Sequence, residues 1–260
     1  MRYQFATIGL GPVLLAQGRY VRRVTPRLPE PAGQRQGVDG SGPALSLLIL
    51  GDSAAAGVGV ATQSEALSGQ LVSALAPYFR VSWKLVAKTG LTAREVLQQL
   101  EGEPRQRFDV AVTSTGVNDV TGGTRQEPWL ATQHQLVELL EHKFQARHIL
   151  LSSIPPMHGF PALPQPLRWY LGLRARRLNQ ALRRWVEQSE RCEFVPIDFP
   201  LRMELMASDG FHPGADAYSM WAGQLAGVIR RRQEPGGVQA CAEEDERAPD
   251  LGQLAGAFPE

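Results

Sequence analysis

Four consecutive aliphatic residues, Leu47-Leu48-Ile49-Leu50, run directly into Gly51-Asp52-Ser53. An apolar run of that length, closed by turn residues, reads as a strand buried on both faces, the pattern of a parallel sheet. In open α/β sheets ligands bind beyond the carboxyl ends of the strands, where Ser53 falls. This one junction therefore constrains both the fold and the place where chemistry is expected.

The rest of the chain repeats the strand-then-helix rhythm. Further strands are predicted at Val81–Ala87, Phe108–Thr113, His148–Leu151 and Phe194–Ile197. Helices are predicted from Ser64, with Leu67, Leu71 and Leu75 on one face, and at Ala93–Leu100, Glu127–Phe144, Leu167–Gln188 and Ala217–Arg231. Strands alternating with helices imply a parallel sheet of five strands, covered on both sides. The domain so defined spans residues 44–233. Before it lie an apolar segment and a Pro/Gly-rich linker (1–43), and after it a tail rich in Glu and Asp (234–260) that is expected to be disordered.

The 260 residues, 43% of them apolar, suffice for one α/β domain with a sizeable core. A net charge of +1 gives no bulk electrostatic drive toward nucleic acid. The two cysteines, Cys192 and Cys241, have neither metal-type spacing nor the look of a structural disulfide. The apolar stretch Phe5–Ala16 is too short to span a bilayer, which takes about 20 residues. Arg19, Arg22 and Arg23 follow it at once and disfavour export, so a cytoplasmic protein is expected. Two other readings of the stretch stay open: a signal-peptide core, and a helix that packs on the domain or rests on a membrane surface. The arginines at 168, 174, 176, 177, 183 and 184 read as a solvated helix face.

Three loops look set to meet at the edge that Ser53 occupies. Asp209-Gly210-Phe211-His212-Pro213 puts an acid and an imidazole three residues apart in a tight turn. There the carboxylate can hold Nδ1 while the other ring nitrogen faces a nucleophile; equally, such a turn can be a plain Asx turn. Gly116-Val117-Asn118-Asp119 offers a side-chain amide as an oxyanion donor, although asparagine is ordinarily a turn former. Asp119 reads as a brace for its loop. Gly90, after the second strand, allows close approach of a backbone N–H to a ligand. In the proline-rich loop 155–166, Met157, Phe160 and Leu163 are expected to line an acyl pocket, and His158 to be an exposed residue without a chemical role.

Serine after the first strand, glycine after the second, asparagine after the third and the Asp-x-x-His pair after the fifth together resemble the SGNH (GDSL) hydrolase superfamily. The markers would be Ser53, Gly90, Asn118 and His212, within a stretch running from Leu47 to Arg232. Ala54 stands where the family name has leucine, a position without chemistry. The resemblance implies a flavodoxin-like, three-layer α/β/α fold. It implies Ser53 as nucleophile, His212 as base and then acid, and Asp209 as the orienting carboxylate. The oxyanion hole would comprise the N–H groups of Ser53 and Gly90 and the Asn118 amide. No metal or other cofactor is implied. The expected activity is hydrolysis of a small carboxylic ester of short to medium acyl chain. Alternatives on the same site are a lysophospholipase, a thioesterase or an acyltransferase; outside enzymology, it is a binding protein that retains the fold.

Overall fold

The structure is a computed structural model and describes residues 2–197 and 200–233. The chain parts into two compact units, Met1–Ala226 and Gly227–Glu260; the second is described only as the last turns of the final helix. The predicted acidic tail lies outside the described residues.

The first unit is built on a six-stranded sheet in the order β1-β3-β2-β4-β5-β6. The five strands β2 (Ala44–Gly51), β3 (Arg80–Ala87), β4 (Val110–Ser114), β5 (His148–Ser152) and β6 (Cys192–Val195) are mutually parallel. They match the five expected from the apolar runs. The sixth, β1 (Gln36–Asp39), is a correction. It falls inside the presumed linker and pairs antiparallel with β3 at the sheet edge, Gln36 opposite Lys84 through Asp39 opposite Val81. Its four residues are mostly exposed and carry no alternating apolar pattern, so nothing local marked them as a strand.

β2 is central, flanked by β3 and β4, and Leu47, Leu48, Ile49 and Leu50 have no solvent exposure. Without β1, the order places the first parallel strand between the second and third. Chain direction across the sheet reverses there, which opens a crevice beyond the carboxyl ends. Leu48, Leu50, Ala111, Ile149 and Leu151 share one core cluster with α4 (Ala93–Gly102), α6 (Gln126–His142) and α7 (Leu167–Val186). By strand alternation Leu47 and Ile49 face the other way, toward the side where α3 (Leu67–Leu75) packs near β3.

The N-terminal stretch forms α1 (Arg2–Val24), which takes in Pro12. Leu14 and Val21 are buried in the core cluster. Gln17 ties the helix down: its amide nitrogen donates to the Gln165 carbonyl at 2.6 Å, and its oxygen accepts the Leu167 N–H at 3.1 Å. In the structure this stretch is a helix packed on the domain. No described helix is long and apolar enough to cross a membrane. The arginine series on α7 is not uniformly solvated: Arg174 donates to the carbonyls of Val120 and Thr124, pinning the short helix α5 (Val117–Gly122).

Candidate active site

Gly51 ends β2 because no side chain fits there: an added Cβ would lie 2.1 Å from the Ser114 carbonyl oxygen. The chain turns at once into α2 (Ser53–Ala56), a single helical turn capped by Asp52, whose Oδ1 accepts the Ala54 N–H at 3.1 Å. That turn leaves Ser53 at the mouth of the crevice.

The Asp-x-x-His segment approaches from across the crevice, just before α8 (Ala215–Gln233). Asp209 Oδ1 accepts the backbone N–H groups of Phe211 and His212, at 2.9 and 3.0 Å, which closes the turn. Asp209 Oδ2 lies 2.6 Å from His212 Nδ1, and His212 Nε2 lies 2.8 Å from Ser53 Oγ. Burial pushes the Asp209 carboxyl up, but the His212 ring and the two backbone N–H groups outweigh it and hold it below the usual carboxylate range. An ionised Asp209 can only accept. Nδ1 therefore carries the imidazole proton and Nε2 is left to accept from the serine hydroxyl. Two segments 159 positions apart thus form one continuous proton path. A bridge between Met206 and Pro213, and the Ala207 N–H bonded to the His212 carbonyl at 2.8 Å, stiffen the turn.

Gly90 and Asn118 line the same cavity, of about 230 Å³. Gly90 has φ of +86°, a left-handed conformation that leaves its backbone at the cavity wall. Its loop is held from three directions. Asn118 Nδ2 donates to the Leu91 carbonyl at 2.9 Å, which orients the amide and leaves its second hydrogen uncommitted by that bond. Asp119 Oδ2 accepts the Ala93 N–H at 2.9 Å, a brace on this loop where one on its own was expected. Glu30 Oε1 accepts from both the N–H and the hydroxyl of Thr89, at 2.7 and 2.8 Å, while its other oxygen pairs with Arg35 at 2.7 Å. Burial raises the Glu30 carboxyl, yet the Thr89 bonds and Arg35 bring it below its ordinary value. Glu30 and Arg35 come from the presumed linker, so that segment positions the Gly90 loop.

The site also holds features the sequence did not signal. Asp52 is 2% exposed, and its Oδ2 has no hydrogen-bond partner. Burial raises its carboxyl to about 7, against the lowering effects of the Ala54 N–H and His212. Tyr218, on α8, is buried and donates its hydroxyl to the Val58 carbonyl at 2.7 Å, linking the helix that follows His212 to the turn that follows Ser53. The acyl-pocket expectation needs correction. Phe160 lines the cavity, but Met157 and Leu163 are packed in the core, and other apolar wall residues include Val117, Ile197, Leu201, Met206, Phe211 and Trp221. Phe160 and Phe211 meet edge to face with centroids 5.8 Å apart. His158 is exposed and lines a different groove, along α7.

Residues 49–220 match the model of the GDSL-like lipase/acylhydrolase family. Among solved structures, a catalytic mutant of an acetylxylan esterase from Geobacillus stearothermophilus is 16% identical, with 71% of this chain and 94% of that one covered and a TM-score of 0.55. A lipolytic protein of the G-D-S-L family from Veillonella parvula is also 16% identical, covering 72% and 100%, with a TM-score of 0.56. A lipase from a goat rumen metagenome is 17% identical, covering 70% and 96%, with a TM-score of 0.52. No curated protein matches the sequence.

Proposed function

This chain belongs to the GDSL-like lipase/acylhydrolase family, and from that premise we propose that it is a serine esterase acting through an acyl-Ser53 intermediate. The observation that carries the reading is the pair of short contacts on the His212 ring, to Asp209 at 2.6 Å and to Ser53 at 2.8 Å. Ser53 Oγ attacks the ester carbonyl carbon as His212 Nε2 takes the hydroxyl proton. The tetrahedral oxyanion accepts hydrogen bonds from the N–H groups of Ser53 and Gly90 and from the Asn118 amide. Collapse breaks the bond to the alcohol oxygen, and His212 returns the proton to the departing alcohol. Water then attacks the acyl-serine carbonyl by the same proton route, which releases the acid and restores the serine. Asp209 holds the tautomer and stabilises the imidazolium at each stage.

The cavity wall is largely aliphatic and aromatic, which suits an acyl chain better than a sugar or a charged group. Its volume of about 230 Å³ suits a short to medium chain. Acetylated sugars, the substrate class named for one structural neighbour, would leave most of that apolar wall unused.

Hydrolysis of p-nitrophenyl esters of graded acyl length tests the proposal. The wild type is expected to turn over acetate to hexanoate, and Ser53→Ala to lose about a million-fold in kcat with unchanged circular dichroism. Retained turnover in Ser53→Ala would remove Ser53 from the mechanism. A folded wild type that neither hydrolyses any of these esters nor reacts with a fluorophosphonate probe would make the chain a binding protein of this fold.

A further inference from the structure

The charge of the chain is unevenly placed. Its first 29 residues contain Arg2, Arg19, Arg22, Arg23 and Arg27 and no acid, while the remainder has 22 basic residues against 26 acidic. Most of that cationic segment is α1. Leu10, Leu14, Gln17 and Val21, spaced four, three and four residues apart, form its inward face. Val13, Tyr20 and Val24, spaced seven and four, lie along the next face and are 44%, 62% and 52% exposed. Arg19 and Arg23, four apart, come next around the helix, followed by Leu15, 62% exposed, and Arg22. An apolar stripe edged by arginines is thus turned to solvent on a helix whose opposite face is fastened to the domain.

We infer that α1 is a docking face for an anionic lipid bilayer, on which it lies flat. Three features select that occupant. The helix is too polar to span a membrane. Its exposed stripe is apolar at the rim of a cationic row, the arrangement that places valine, leucine and tyrosine in the headgroup region with guanidinium groups on lipid phosphates. The first 29 residues carry five arginines and no acid, so an anionic surface attracts this segment. Gln17 bonds to Gln165 and Leu167, at the end of the loop that contributes Pro155 and Phe160 to the cavity. Docking through α1 therefore brings that loop toward the surface from which an acyl substrate would come. The docking face does not depend on the esterase reading and fails or stands separately from it.

Co-sedimentation of the full chain with vesicles tests the inference. Binding is expected to mixed phosphatidylcholine–phosphatidylglycerol vesicles, to weaken as salt is raised, and to be far poorer with phosphatidylcholine alone. Arg19→Gln and Arg23→Gln are each expected to weaken binding about fivefold, and Tyr20→Glu more, with hydrolysis of a soluble ester unchanged in all three. Equal binding of wild type and variants, or no preference for anionic vesicles, would overturn it. So would a concentration-dependent dimer in sedimentation velocity that Tyr20→Glu abolishes, since the occupant would then be a second copy of this chain.

Discussion

Two turns face each other across the cavity, Gly51–Ala54 and Asp209–Pro213, and each contains a buried aspartate. Asp209 accepts two backbone N–H groups on one oxygen and the His212 ring on the other. Asp52 accepts one N–H on Oδ1 and nothing on Oδ2. The first carboxyl is held low and the second is pushed up to about 7. Burial is the largest influence on both and acts in the same direction; hydrogen-bond partners decide the outcome. A buried carboxylate stays charged only where donors surround it, as they do in the Asp209 turn. Asp52 serves as the cap that turns the chain from β2 into α2.

Of the two acids, the larger effect is expected at Asp209. Asp209→Asn keeps the shape of the turn but cannot hold the required imidazole tautomer, and kcat for ester hydrolysis is expected to fall about ten-thousand-fold. A loss below tenfold would mean that His212 is oriented by other contacts. Asn118→Ala touches neither acid and sets an internal scale: loss of one oxyanion donor is expected to cost about a hundred- to a thousand-fold in kcat. If Asp52→Asn proved as costly to kcat as Asn118→Ala, Asp52 would have to be counted in the chemistry and the contrast would fail.

The smallest effect is on stability. The Asp52 carboxyl rises from an ordinary 3.8 to about 7 on folding, so the folded state binds that proton more tightly than the unfolded chain. Its contribution to stability is complete below pH 3.8 and is lost as pH rises through about 7. Asp209 has the opposite sign: its contribution is present above the ordinary value and disappears as pH falls through its depressed value. Melting temperatures across this range should therefore decline less steeply toward neutral pH in Asp52→Asn than in wild type. An unchanged slope would show that the Asp52 carboxyl binds its proton no more tightly in the fold than in the unfolded chain.

Much of this architecture was legible in the order of residues because its signals are local. A strand buried on both faces must be apolar along its whole length, and the five parallel strands announced themselves that way. Gly-Asp-Ser, Gly-Val-Asn-Asp and Asp-Gly-Phe-His are contiguous, so each turn could be read on its own and placed after its strand. The strand Gln36–Asp39 was not legible, since an exposed edge strand needs no apolar residue. Glu30 reaches Thr89 across 59 positions, and Tyr218 reaches Val58 across 160, with nothing in their neighbourhoods to announce either bond.

By itself, then, the sequence determined the strand succession, the turn chemistry and the functional groups available at the sheet's carboxyl edge, because each depends on neighbouring residues and on burial demanded of a whole run. Only the tertiary structure decided that Ser53 Oγ meets the His212 ring, that Phe160 faces the cavity while Met157 and Leu163 enter the core, and that α1 is seated beside the loop bordering the site. Those outcomes depend on packing between segments far apart in the chain, where the position of each side chain is set by partners that no local pattern names.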